Sequence, residues 1–174
     1  MINAVLKTLE ERRSIRDFSS RKVEGEKLAA ILKAGTYAAT GMGKQSPIIV
    51  VVDSPEMRER IRSMNARIIG RPDSDPFYGA PTILLVLANA DVSTCVEDGS
   101  LVLGNLMNAA YALGVDSCWI HRAREEFASD EGKALLRAWG IEGNYIGVGH
   151  LAVGYRNCEY PTPRPRKKDY IYIV

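Results

Sequence analysis

Val5, Leu6 and Leu9, preceded by Ile2, recur at helical spacing, so the chain is expected to open with a short amphipathic helix running into Arg12 and Arg13. A second helix is expected over 23–39, with Leu28, Ile31 and Leu32 on one face. The run 48–52 is unbroken and β-branched, as for a strand covered on both sides. Ser54 as cap, Pro55 at the first helical position and Glu56 near the positive end of the dipole then start a helix expected to reach Gly70. Residues 71–81 are rich in turn formers and read as a long loop. A buried strand over 82–88 leads to a helix over 96–113, closed by Gly114. That helix has apolar or small residues on every face, so it is expected to be buried all round, as a central or interface helix. A short strand over 115–120, a helix over 125–139 ended by Gly140, and a last core strand over 145–155 complete the pattern. Strands alternating with helices imply an α/β or α+β sandwich around one sheet.

The pattern changes after Tyr155. Residues 160–169, YPTPRPRKKD, hold three prolines and four basic residues, and DYIYIV closes the chain as a β-like segment. An extended prolyl linker disfavours a hairpin return. The terminal segment either adds to the sheet edge of a partner subunit or covers an edge of its own sheet. No internal repeat or linker divides the chain, so residues 1–174 are read as one domain.

Composition narrows the function. The 174 residues suit a single domain of ordinary globular composition, 46% hydrophobic and 25% charged. A formal charge of +2 is too weak to suggest a nucleic-acid or membrane-surface protein. No apolar run approaches the ~20 residues that cross a bilayer, and the first residues carry no secretory pattern, so a cytoplasmic location is expected. Cys95, Cys118 and Cys158 lack a CxxC pair and are expected to be reduced, mostly buried thiols.

Several motif matches fail on context. GVGHLA at 147–152 has the spacing of a dinucleotide fingerprint but lies inside an expected strand, with no helix start to receive a pyrophosphate. GMGKQS at 41–46 lacks the first glycine of a P-loop, and Gln45 stands where Ser or Thr would hold magnesium. Cys118 and His121 have no second ligand pair for zinc. His150 reads as a strand histidine with a hydrogen-bonded ring.

RRSIRDF at 12–18 is more informative. Arg12, Arg13 and Arg16 fall in one turn beside Ser14, where the first helix ends, so several guanidinium forks converge as an anion would require. Cations also favour the negative end of any helix, by about 0.3–1 kcal/mol each, and on charge alone that plainer reading is the stronger. RPRKK at 164–168 is a second basic cluster. Together the two suggest an anionic, phosphate-bearing ligand held from both ends of the chain.

RRSIRDF resembles the flavin-binding opening of the FMN-dependent nitroreductase family, and the resemblance continues along the chain. ATGMGKQSPIIVVV at 39–52, DPFYGAPTILLV at 75–86, LGVDSCWI at 113–120 and PRPRK near the end are similar to that family's later segments, in the same order. The resemblance implies an α+β, three-layer sandwich with a central mixed β-sheet flanked by helices, in an intertwined homodimer whose tail, 156–174, extends onto the partner. It implies FMN as cofactor and NADH or NADPH as electron donor. The expected acceptor is a small nitro, quinone or flavin-type molecule, reduced by ping-pong hydride transfer through flavin N5. Neither nucleic acid nor membrane is an expected partner.

By the same resemblance, Arg12, Arg13 and Ser14 meet the phosphate and ribityl chain, and Arg16 lies near the pyrimidine edge. Thr40, Gly41 and Met42 approach the ring from the other subunit. Asn65 hydrogen-bonds the pyrimidine edge, and Arg164 and Arg166 close on the phosphate. Ile120 ends the strand over the ring. Where many members place a glycine pair, or a glutamate with glycine, this chain has His121 and Arg122, whose backbone is expected to supply the N–H at N5. The chemistry is the flavin's, so no side chain is named as acid or base, and His121 is either a proton donor or a wall of the pocket. Two other readings are an FMN-binding storage or sensor protein without efficient turnover, and an anion- or nucleic-acid-binding module using the basic clusters.

Overall fold

Residues 3–174 are described by the computed structural model, so Ile2 of the first expected helix lies outside the described residues. Asn3 accepts a hydrogen bond from Leu6 N at 2.9 Å and caps α1 (Ala4–Glu11). α2 (Gly25–Thr36) stops short of the expected end, where Thr36 Oγ1 turns back to Lys33 O at 2.8 Å. A single 3₁₀ turn, Gly41–Gly43, leads into β1 (Pro47–Val52). Ser54 accepts from Met57 N at 3.2 Å and starts α3 (Pro55–Ile68), as the Ser-Pro-Glu sequence implies. β2 (Thr82–Asn89), α4 (Cys95–Ala112) and β3 (Asp116–Ile120) follow close to their expected bounds.

The single helix expected over 125–139 is two. α5 (Ala123–Ala128) ends at Ser129, whose extended backbone (φ −72°, ψ 159°) breaks the helix, and whose Oγ accepts from Gly132 N at 3.0 Å to start α6 (Asp130–Ala138). Ser129 is a capping signal hidden inside an apolar period. The last strand, β4, is Tyr145–Gly154.

The sheet order is β1-β2-β4-β3. Helices on both faces give the expected α+β sandwich, but the four strands are antiparallel rather than mixed. The reason lies in the 71–81 loop, which returns the chain to the end where β1 finished, so that Val52 faces Ile83. The parallel component is confined to an isolated bridge between Ser14 and Ser117.

β2 divides the core. Ile83, Leu85 and Leu87 pack with Ile61, Met64, Phe77, Phe127 and Leu135 on the side of α3, α5 and α6. Leu84 and Val86 pack with Ile31, Leu103, Leu106 and Leu151 on the side of α2 and α4. Alternate residues thus enter different cores, which is why β2 is apolar without a break.

Two expectations fail in the single chain, and one of the two placements of the terminal segment is excluded. β1 is an edge strand with Val51 39% exposed, so its β-branched run is not covered on both sides. α4 is not buried all round, since Leu101 is 50% exposed. The terminal segment forms no strand on its own sheet, and Tyr170 to Val174 are exposed. Among the described residues no helix is long and apolar enough to cross a membrane.

The glycines of GVGHLA have a packing role. A Cβ on Gly147 would lie 2.0 Å from Ala123 O, and one on Gly149 would lie 2.5 Å from Trp119 Nε1. Between them the register shifts against Val86 and Leu87, and Val148 fills the space over Gly99 of α4. Gly147→Ala is therefore expected to lower stability by about 1–3 kcal/mol, measured by urea unfolding, because the atom it meets is backbone and cannot step aside.

Candidate functional site

The chain leaves α1 extended at Arg12 (φ −55°, ψ 135°) and is stitched to β3, where Ile15 N donates to Ser117 O at 3.1 Å. Ile15 is fully buried and serves as the anchor. Side chains alternate along an extended segment, so Ile15 turns into the core while Arg12, Ser14 and Arg16 share the other side. Cys118, buried in β3, reports the convergence: burial pushes its thiol up, while Arg16, a hydrogen bond with Ser14, and Arg12 pull it down. Arg13 behaves differently. Its Nη1 donates to Glu10 O at 2.7 Å and Arg12 O at 2.8 Å, at the negative end of α1. The helix end thus accounts for the Arg13 Nη1 alone.

The C-terminal segment supplies the facing wall. Arg12, Arg13, Ser14, Arg16, Arg164 and Arg166 line one cleft of about 880 Å³ together with Glu10 and the prolyl segment 161–163. Two distant basic clusters in the sequence are one site in space. Tyr160 fastens them: its hydroxyl accepts from Arg13 N at 2.9 Å and donates to Glu11 O at 2.8 Å. The Arg156 guanidinium covers the Tyr160 ring at 5.0 Å and pairs with buried Asp116 at 3.2 Å. Sequence reasoning passed over Tyr160 and Asp116 inside segments it did single out, because both act through contacts far apart in the chain.

Among the described residues none of the five cleft arginines pairs with a carboxylate. Arg12 Nη1 and Arg13 Nε are shielded from water and lack an acceptor. Unpaired buried donors cost about 1–3 kcal/mol each, more when charged. An anion with several oxygens, such as a phosphate monoester, removes that penalty and fits the donor set.

β3 carries the chain from this cleft to a second feature. Ser117 and Ile120 are separated by about 10 Å of strand. Beyond Ile120, the exposed His121 and Arg122 form a turn in which Arg122 has φ +82°. Arg122 Nη1 pairs with Glu125 at 2.8 Å. Asn65, on α3, is 1% exposed, and its amide donates to His121 O at 2.8 Å and Glu126 Oε1 at 2.5 Å. Both hydrogen bonds of its Nδ2 are made inside the fold, so the Asn65 amide nitrogen supports the turn. Glu126 and His150 are both 0% exposed, with Oε2 and Nε2 3.1 Å apart. His150 is the strand histidine expected, but its ring nitrogens lack an aligned hydrogen bond, and its ring meets Phe77 edge to face.

The third group stands apart. Gly41–Gly43 is held by the buried Asp98, which accepts from Gly41 N at 2.9 Å and Thr94 Oγ1 at 3.1 Å. Met42 takes φ +52° and is 84% exposed. Thr40 lines a different cavity of about 450 Å³, bounded by Leu32, Ile48, Ile49, Val51 and Val102. The described lining of the arginine cleft includes none of Thr40, Gly41, Met42, Asn65, Ile120, His121 or Arg122. One chain therefore unites the two basic clusters and leaves the other expected residues elsewhere on its surface and in its core.

Known proteins share both sequence and fold. Residues 9–155 match the model of the nitroreductase family, a stretch that includes the arginine turn and ends before Arg164 and Arg166. An Archaeoglobus fulgidus protein, provisionally named NADH dehydrogenase/NAD(P)H nitroreductase, is 29% identical over 159 residues, 88% of this chain and 86% of that protein. The crystal structure of a Bacteroides fragilis nitroreductase with bound FMN superposes with a TM-score of 0.89 at 29% identity, covering 99% of this chain and 100% of that one. A Desulfitobacterium hafniense nitroreductase with bound FMN gives 0.88 at 26% identity, covering 100% of both chains.

Two measurements test the local geometry. Exposed Cys158 is expected to react with iodoacetamide in the folded protein while buried Cys118, its thiol raised by desolvation, reacts only on unfolding, as peptide mass spectrometry would show. Tyr111 donates to Glu11 Oε2 at 3.1 Å, and its phenol is pushed up to about 12, first by desolvation and then by that bond. A raised pKa stabilises the fold below the ordinary phenol value near ~10, and the contribution is lost as pH rises through the folded value. Ultraviolet titration should therefore show one late phenol that Tyr111→Phe removes.

Proposed function

The chain belongs to the nitroreductase family, and on that premise we propose that it is an FMN-dependent oxidoreductase using NADH or NADPH to reduce a small nitro, quinone or flavin-type acceptor. The observation that carries the reading is the cleft in which Arg12 and Arg13 hold shielded donors without an acceptor, while Arg16, Arg164 and Arg166 close around the same space. FMN, when bound, supplies hydride transfer through N5 between the nicotinamide and the acceptor.

The protein's own residues bind and orient. Arg12 and Ser14, on one side of the extended segment, hold the phosphate end, with Arg164 and Arg166 across the cleft and Arg13 braced on the α1 carbonyls. Arg16 brings positive charge to the pyrimidine edge. The end of β3, from Ile120 to Arg122, lies under the ring and turns a backbone N–H toward it. His121, exposed on that turn, walls the acceptor side and is assigned no proton.

The working unit is a homodimer. β1 leaves a sheet edge open, the 450 Å³ apolar cavity lies beside it, and the apolar segment Tyr170 to Val174 is exposed on its own chain. An unpaired edge and an unburied β-like tail are complementary, so the tail of one protomer covers the edge of its partner. Residues 156–174 are then part of the same domain, working across the interface. Thr40, Gly41 and Met42 meet the flavin of the partner, which accounts for their distance from the cleft of their own chain.

The purified protein is expected to be yellow and to bleach with NADH or NADPH in the absence of oxygen. Colourless protein that does not retain added FMN overturns the cofactor; yellow protein that does not bleach leaves a binding protein without turnover. Replacing both Arg12 and Arg16 by alanine is expected to weaken FMN binding by about 100-fold. This takes ~1.5 kcal/mol for each charge-assisted hydrogen bond lost. Deleting residues 169–174 should yield monomers in analytical ultracentrifugation; an unchanged dimer would assign the interface to another surface.

A further inference from the structure

We infer that Asn65, Glu126 and His150 are positioning residues that aim the Arg122 peptide N–H out of the fold toward the flavin's reacting edge. The inference rests on the FMN reading above for its target and on the structure alone for its geometry.

The starting observation is three polar side chains, 0–1% exposed, placed among apolar residues where they add no surface contact. Glu126 Oε2 and both ring nitrogens of His150 are without an aligned partner. A core seldom keeps such groups unless their arrangement is needed. What they touch is the turn. Asn65 Nδ2 lies between two acceptors, His121 O at 2.8 Å and Glu126 Oε1 at 2.5 Å, so its amide has one sensible orientation. The next carbonyl, Arg122 O, accepts the first backbone hydrogen bond of α5, from Glu126 N at 3.0 Å. The carbonyls on both sides of the Arg122 Cα are thus tied to α5 and α3.

Those ties explain a costly backbone. Arg122 sits at φ +82°, a left-handed conformation unfavourable for a long side chain, and it persists only if its surroundings hold it. They also set a direction. A trans peptide points its N–H opposite to its C=O. The His121 carbonyl faces inward to Asn65, so the Arg122 N–H faces outward. That N–H has no hydrogen-bond partner among the described residues. His150 completes the arrangement from below, because β4 pairs it with Ile120, the residue that ends β3, and its Nε2 stands 3.1 Å from Glu126 Oε2. The rung that ends the strand thereby carries the group that backs the turn.

The test compares N65L and E126M, which remove the donor and the acceptor at similar volume, with E126Q, which keeps a carbonyl for Asn65. The midpoint potential of bound FMN is read against reference dyes. N65L and E126M are expected to change the preference for reduced over oxidised FMN at least tenfold, about 30 mV for a two-electron couple, and E126Q is expected to restore the native value. Hydrogen exchange of the 121–128 peptide is read in the same proteins without flavin. It is expected to quicken tenfold or more in N65L and E126M only. Variants that fold, hold FMN and keep both native values overturn the assignment. In the unsubstituted protein the Asn65 side-chain NH₂ protons are expected to resist exchange by NMR; free exchange overturns it even where a variant does not fold. If the native protein retains no FMN, the proposed function fails, and the two exchange measurements still decide the positioning role.

Discussion

A strand buried on both faces has no polar side to present to a ligand, and β2 is such a strand. Its alternate residues feed two separate cores, one under α3, α5 and α6 and one under α2 and α4. β4 lies beside it and is almost as enclosed. Chemistry is thereby pushed to the outer strands. β3 takes the arginine segment alongside it through the Ser14–Ser117 bridge and ends in the strained turn at Arg122. β1, the opposite edge, is left open beside an apolar cavity. The division between an edge that carries the arginine segment and an edge left open follows from the filled centre.

The arginine cleft shows how electrostatics decides a site where net charge does not. The chain is only +2, yet none of its five cleft arginines pairs with a carboxylate among the described residues. Elsewhere several cations do find carboxylates at the surface, such as Arg21 with Glu24 and Arg60 with Glu131. Exposed pairs of that kind contribute about 1 kcal/mol or less. Leaving the cleft arginines unpaired costs more than those pairs return, so the arrangement suits binding rather than stability. Tyr160 extends the logic, since it ties the prolyl tail, and with it Arg164 and Arg166, to the backbone of the arginine turn.

The interior triad of Asn65, Glu126 and His150 is a different compromise. Buried polar groups with unaligned partners weaken a core, and apolar residues of equal volume would often be as stable or more so. Here they hold a positive-φ arginine at the end of a strand. Asp98 does the same for the Gly41–Gly43 turn, with Met42 as the strained residue. In both places a buried carboxylate stands behind a positive-φ turn, directly at Gly41 and through Asn65 at His121, and in both the turn belongs to the proposed flavin site.

Much of this was legible in the sequence for reasons that are local. Apolar period 3.6, the Ser54-Pro55-Glu56 start and the unbroken run at 82–88 located helices and strands because each depends on neighbours a few residues away. Arg12, Arg13, Ser14 and Arg16 were visible as a cluster because they are adjacent. The break at Ser129 was hidden, since an apolar period hides a change of helix direction. Sheet order and the antiparallel sense were decided only when the 71–81 loop brought Val52 opposite Ile83. The division of the arginines was decided by an extended backbone stitched to Ser117, which sends Arg12 and Arg16 to one side and Arg13 to the helix end. The partners of the Asn65 amide nitrogen were hidden, because the carbonyl and carboxylate that claim it lie 56 and 61 positions away. The sequence by itself determined which segments are regular and which residues carry charge. Only the tertiary structure decided which donors are already satisfied, because a hydrogen bond is settled by distance in space and the chain records distance only along itself.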